Sequence, residues 1–170
     1  MKRASLKITL RFLALIALVF SFGKAQSQDG AARKKIPPFR IEQVSGDSLF
    51  SKDLQKNMQS MIVYFDPTCE HCQAFTRSLL EKMNSFKNTQ IVYITYTPLS
   101  EVQKFEKDFS LDKYSNFKIG TEGYSFVVQK FYSVMNFPFI ALYNKKGTLI
   151  SYYRQVPTVD ALIKQFKIEN

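Results

Sequence analysis

FDPTCEHCQAF, residues 65–75, holds both cysteines of the chain, its only histidine, and two acids, Asp66 and Glu70. It overlaps the end of SMIVYF (60–65), a continuous apolar run whose β-branched and aromatic residues mark a buried strand. Downstream, Cys72, Phe75, Leu79, Met83 and Phe86 recur at helical spacing. Cys69 and Cys72, separated by Glu70 and His71, therefore fall at a strand-to-helix junction. Three chemistries compete for such a pair: metal binding, a structural staple, and redox exchange.

Metal binding is short of ligands. A structural zinc site takes four, usually as two pairs, and this chain has two cysteines and one histidine. His71 lies between the cysteines, so it projects away from the face they share. Soft Cu(I) accepts two thiolates, so a copper carrier stays open as an alternative. A staple is weak for another reason: a disulfide gains stability by closing a loop, and this loop contains only two residues. A papain-like Cys–His pair is disfavoured because such partners come from separated segments. The redox reading suits the position. Free backbone N–H groups and the positive end of the helix dipole stabilise a thiolate at Cys69. Cys72, one turn deeper in the apolar stripe, is placed to attack a mixed disulfide formed on Cys69.

The rest of the chain supplies a frame. FRIEQV (39–44) reads as a short strand and SKDLQKNM (51–58) as a helical turn. QIVYITY (90–96) is a second buried strand. SEVQKFEKDF (100–109) reads as a helix with Ser100 and Gln103 as a capping box. Leu99, Val102, Phe105 and Phe109 lie on one of its faces. FKIG (117–120) reads as a small strand and SFVVQKFYSV (125–134) as another helix. PFIALYNKKGTLISYY (138–153) is two apolar runs around NKKG, a β-hairpin, and TVDALIKQF (158–166) is a closing helix. Strands joined through helices run parallel, while the hairpin adds antiparallel strands. The expected class is α/β, a mixed sheet between helical layers.

Strand, C-x-x-C, helix, then a proline opening a hairpin resembles the thioredoxin-like arrangement. The chain is similar to the exported TlpA/ResA-like thiol–disulfide oxidoreductases over roughly 39–168. The stretches DSLFSKDLQ, IVYFDPTCEHC, VMNFPFIALYNKKGTLI and TVDALIKQF carry the likeness. The resemblance implies a three-layer sandwich with a central mixed β-sheet flanked by helices, and an extra central segment within 111–123. It implies that Cys69 and Cys72 are catalytic. Pro138 is then cis beside them, with the Phe137 backbone presented to a substrate peptide. It implies no organic cofactor and no metal. Partners would be cysteine-containing proteins and an upstream electron donor. A non-enzymatic thioredoxin-fold chaperone using the same dithiol is the alternative, alongside the Cu(I) carrier.

Departures from that pattern are specific. The aromatic common before the first cysteine is Thr68. The buried acid six positions earlier is Val63, and the acid three after the second cysteine is Phe75. Asp66, Glu70 or water must then accept the Cys72 proton. His71 in C-x-H-C resembles the DsbA-type motif, in which histidine favours the thiolate, while Glu70 adds opposing charge. Glu70 and His71 are thus candidates for tuning the potential, or simply a solvated helix start. The peroxiredoxin motif is not reproduced.

The 170-residue length suits one main domain, and sixteen Phe and nine Tyr with no Trp point to an aromatic core. The net charge of +10 is uneven, because Lys2, Arg3, Lys7, Arg11 and Lys24 crowd the first 25 residues. The remainder is modestly basic and lacks any nucleic-acid-binding motif, so no nucleic-acid partner is expected. MKRASLK followed by FLALIALVF and FGKAQ reads as a signal peptide over 1–25, or an N-terminal anchor that associates with the membrane. Residues 26–38 read as a linker and 39–170 as the thioredoxin-like domain. Export to the periplasm or cell envelope, where disulfide chemistry is permitted, is the expected location.

Overall fold

The computed structural model describes residues 34–168. The expected signal or anchor, and the linker up to residue 33, lie outside the described residues. Seven strands form one sheet: β1 (Arg40–Gln43), β2 (Ser48–Phe50), β3 (Gln59–Tyr64), β4 (Thr89–Thr95), β5 (Phe117–Thr121), β6 (Phe139–Tyr143) and β7 (Leu149–Tyr153). Among the described residues, four α-helices accompany them: α1 (Glu70–Glu81), α2 (Leu99–Phe109), α3 (Val127–Tyr132) and α4 (Val159–Ile168). The sheet order is β2-β1-β5-β4-β3-β6-β7.

The central strands β3 and β4 are buried along their full length, as continuous apolar runs require when both faces of a sheet are covered. They pair in parallel through α1, and β4 pairs in parallel with β5 through α2. β6 lies antiparallel on the other side of β3, and β7 follows it through a hairpin. The sheet is therefore mixed, as the connectivity predicts. Alternation along β3 sends Met61 and Val63 to one core and Ile62 and Tyr64 to the other. The first core packs Phe75 and Leu79 of α1, Val102 and Phe105 of α2, and Leu162 and Phe166 of α4. The second packs Val128 and Tyr132 of α3 against the sheet, together with Phe39 and Ile41. Three layers result.

Four local features differ from the sequence expectation or add to it. α2 begins at Leu99 behind Pro98, with no side-chain cap. Ser100 is thus already inside the first turn, and the expected capping box with Gln103 does not form. The run SKDLQKNM yields only a 3-10 turn, Ser51–Asp53. β2 has no counterpart in the sequence reading: three residues are too few to show a period, and the strand is held by its antiparallel ladder with β1. Residues 34–38, at the end of the expected linker, run along the domain. Lys35 bridges to Thr148, and Pro37 is buried.

The extra central segment contributes β5, which fits between β4 and β1. Its Gly120 is demanded by that fit. A Cβ there would stand 2.5 Å from the Glu42 carbonyl oxygen of β1, closer than any real contact.

Candidate redox site

β3 ends at Tyr64, and the chain turns through Phe65–Thr68 into α1. Asp66 organises this turn. Its carboxylate accepts the Thr68 N–H at 2.8 Å and the Thr68 hydroxyl at 2.7 Å, while its backbone carbonyl accepts the Cys69 N–H at 3.1 Å. Thr68, where an aromatic was expected, thereby closes an Asx-type turn. Cys69 is the N-cap residue of α1, with extended backbone angles, and its carbonyl accepts the Gln73 N–H at 3.1 Å. Its side chain stands at the helix end where unpaired N–H groups converge.

The two cysteines are free thiols in different surroundings. Cys69 is half-buried, whereas Cys72 is 1% exposed within the first core. Burial pushes the Cys72 thiol well above its ordinary range; the Asp66 backbone opposes this, while the neighbouring Cys69 and the Asp66 charge add to it. Thr76 supports Cys72 from below: its hydroxyl donates to the Cys72 carbonyl at 2.8 Å and lies 3.2 Å from the Tyr93 hydroxyl.

Across from the cysteines, the Phe137–Pro138 peptide bond is cis. The Cys69 sulfur lies 3.9 Å from the Phe137 carbonyl oxygen. The structure thus brings Cys69, Cys72, Phe137 and Pro138 together at the carboxyl end of β3, where crossover sheets place their sites. Glu70 and His71 occupy the first turn of α1 but are exposed. They border the site and do not pack into it. Val63 and Phe75, at the positions of the two missing acids, are buried in the core. Asp66 is the nearby acid whose charge acts on Cys72. Among the described residues, no group of three or more His, Cys, Asp or Glu is placed to hold a metal ion.

Tyr96 was missed by the sequence reading. It follows β4 directly, donates its hydroxyl to Asp66 at 3.1 Å, and sets its ring 6.1 Å from that of Phe137. Its signal was position alone: a residue just beyond the carboxyl end of β4, next to the strand that feeds the cysteines, belongs to the site by topology.

No family model and no curated protein matches the sequence. Solved structures do. A secreted Mycobacterium tuberculosis disulfide oxidoreductase homologous to E. coli DsbE is 20% identical with a TM-score of 0.62, covering 75% of this chain and 93% of that one. The thioredoxin domain of a thiol-disulfide oxidoreductase from Bacteroides vulgatus is 18% identical with a TM-score of 0.67, covering 82% and 98%. The fold is thioredoxin-like. An exposed lipoprotein thioredoxin of Streptococcus pneumoniae superposes as well, at 17% identity and TM-score 0.60, over 77% of this chain and 98% of that one. Within the thioredoxin-like frame, the cysteine turn and the proline loop of this chain meet where the Cys69 sulfur approaches the Phe137 carbonyl.

Proposed function

We propose that the protein is an exported thiol–disulfide oxidoreductase of the TlpA/ResA-like kind, exchanging disulfides with protein substrates through Cys69 and Cys72. One observation carries this reading: a half-buried cysteine at a helix N-terminus faces the Phe137 carbonyl, with a second, buried cysteine one turn behind it.

In the reducing direction, the Cys69 thiolate attacks one sulfur of a substrate disulfide. The substrate S–S bond breaks, a Cys69–substrate disulfide forms, and one substrate thiolate leaves. Cys72 then gives up its proton and attacks the Cys69 sulfur. The Cys69–Cys72 disulfide forms and the second substrate thiolate leaves, so two electrons pass to the substrate. Oxidation of a substrate dithiol is the same sequence reversed. Phe137, with its backbone beside the sulfur, lines the substrate groove with Pro138 and offers polar groups to an extended peptide. Glu70 and His71, at the exposed helix start, set the local charge around Cys69. Asp66, whose carboxylate accepts from Thr68 and Tyr96 and whose charge acts on Cys72, serves in this reading as the acceptor of the Cys72 proton. An upstream electron donor in the envelope restores the dithiol.

Export rests on the N-terminal pattern of charge, apolar run and small residues. The secreted and exposed relatives of the same fold agree with it. Insulin reduction by dithiothreitol, followed with a copper chelator present, tests the activity. Acceleration by the wild type and none by Cys69→Ser supports the enzyme. Tight one-to-one Cu(I) binding without turnover would replace it with a carrier.

A further inference from the structure

From Phe137 an aromatic series runs outward. The Phe137 ring lies 6.1 Å from Tyr96, Tyr96 lies 6.0 Å from Phe126, and Phe126 lies 6.1 Å from Tyr124. Its inner end is at the redox centre, since the Phe137 carbonyl faces the Cys69 sulfur at 3.9 Å. Its outer end is open, with Tyr124 86% exposed, and near its inner end Met135, two residues before Phe137, is 81% exposed. Large apolar side chains this exposed beside a reactive centre are a mark of an interaction surface.

The backbone at Phe126 is unusual for a bulky residue. It adopts φ +50°, a left-handed conformation that bulky residues avoid. The buried carboxylate of Glu122 holds the segment by accepting the Val128 N–H at 2.9 Å. Such strain persists where surrounding structure enforces it, commonly at functional surfaces. Here it sets the Phe126 ring between Tyr96 and Tyr124. Lys130 lies over the same ring, with its ammonium 5.8 Å from the centroid.

We propose that the Phe137–Tyr96–Phe126–Tyr124 series is the specificity surface of the protein, and that it takes an extended polypeptide carrying an aromatic side chain near its reactive cysteine. The inference rests on the redox reading above. That reading requires a substrate cysteine to reach Cys69, so the chain next to it must lie on whatever adjoins Cys69 and Phe137. An extended peptide advances about 3.3–3.6 Å per residue. The three ring-to-ring steps are therefore spanned by a partner residue within about five positions of its cysteine. Offset and tilted ring contacts favour an aromatic occupant over an aliphatic one.

Two peptides disulfide-linked to a fluorescent thiol test this, one with Trp four residues from the cysteine and one with Ala there. Glutathione disulfide serves as the small substrate. The wild type is expected to prefer the Trp peptide by about tenfold in kcat/KM, through KM, as an aromatic contact worth about 1.4 kcal/mol gives. Phe126→Gly suits the left-handed site without strain, so it folds while removing the central ring. It and Tyr124→Ala should bring the preference close to unity, whereas Tyr152→Ala, an exposed tyrosine of β7, should retain it. Exchange with equal rates for both peptides, or a preference that survives Phe126→Gly, overturns the proposal alone. No exchange with glutathione disulfide or either peptide overturns the redox reading and this proposal with it.

Discussion

The Tyr96 hydroxyl donates to the Asp66 carboxylate at 3.1 Å, which ties the end of β4 to the turn that presents Cys69. The same tyrosine ring packs near Phe137, so one side chain links the cysteine turn to the proline loop. Asp66 in turn accepts two hydrogen bonds from Thr68. Geometry around the Cys69 sulfur thus depends on a side chain some thirty residues away in sequence.

Tyr96→Phe separates the two roles, because it keeps the ring and deletes the donor. It should lower the unfolding free energy by about 1 kcal/mol, the usual net value of a partly buried hydrogen bond. Tyr96→Ala should cost more and also slow disulfide exchange. Urea denaturation of both variants checks this. Equal stability of Tyr96→Phe and the wild type would show that the bond to Asp66 contributes nothing.

The state of Cys72 makes the reduced protein sensitive to alkali. Its thiol is held above the ordinary value of 9.0, chiefly by burial. Above pH 9 the unfolded chain has lost this proton while the folded chain retains it, so the folded state binds more protons and stability falls as pH rises. By pH 10 the loss from this group should be roughly 1 kcal/mol, close to the limit of about 1.4 kcal/mol per pH unit. Urea midpoints of the reduced wild type and of Cys72→Ala at pH 8 and pH 10 measure it. The variant should have the shallower decline; parallel declines would mean that Cys72 ionises as freely in the fold as outside it.

Gly120→Ala tests the seam between the inserted strand and the N-terminal hairpin. The added methyl would meet the Glu42 carbonyl oxygen at 2.5 Å, and a backbone atom cannot swing aside as a side chain can. Destabilisation of about 1–3 kcal/mol is expected, read from the thermal or urea midpoint. A neutral substitution would show that β1 and β5 separate at little cost.

The alternation of apolar runs and helical stripes made the central architecture legible. β3, β4, α1 and the β6–β7 hairpin each carry long, strongly patterned segments, and their order dictates parallel or antiparallel pairing. Edge features were less so. β2 is three residues long, and α2 starts at Leu99 behind Pro98 although Ser100 offers a better local signal. At the site, spacing and position at a strand-to-helix junction singled out Cys69 and Cys72, while Pro138 was expected only through the resemblance, since a proline before a buried strand is by itself an ordinary strand start. Tyr96, Phe126 and Tyr124 did not. Aromatic residues are common in this chain, and only the folded arrangement shows which of them line up beyond Phe137. Thr68 looked like a departure from the family pattern, yet its hydroxyl and N–H both bind Asp66 and shape the turn.

Trapping of a mixed disulfide decides whether Cys69 attacks first and Cys72 resolves. Cys72→Ser protein would be mixed with a peptide disulfide and the covalent products mapped by mass spectrometry after acid quench. A persistent peptide adduct on Cys69 is expected in Cys72→Ser, and no adduct in Cys69→Ser. An adduct on Cys72 in the Cys69→Ser protein, formed as readily as on Cys69, would contradict this division of roles.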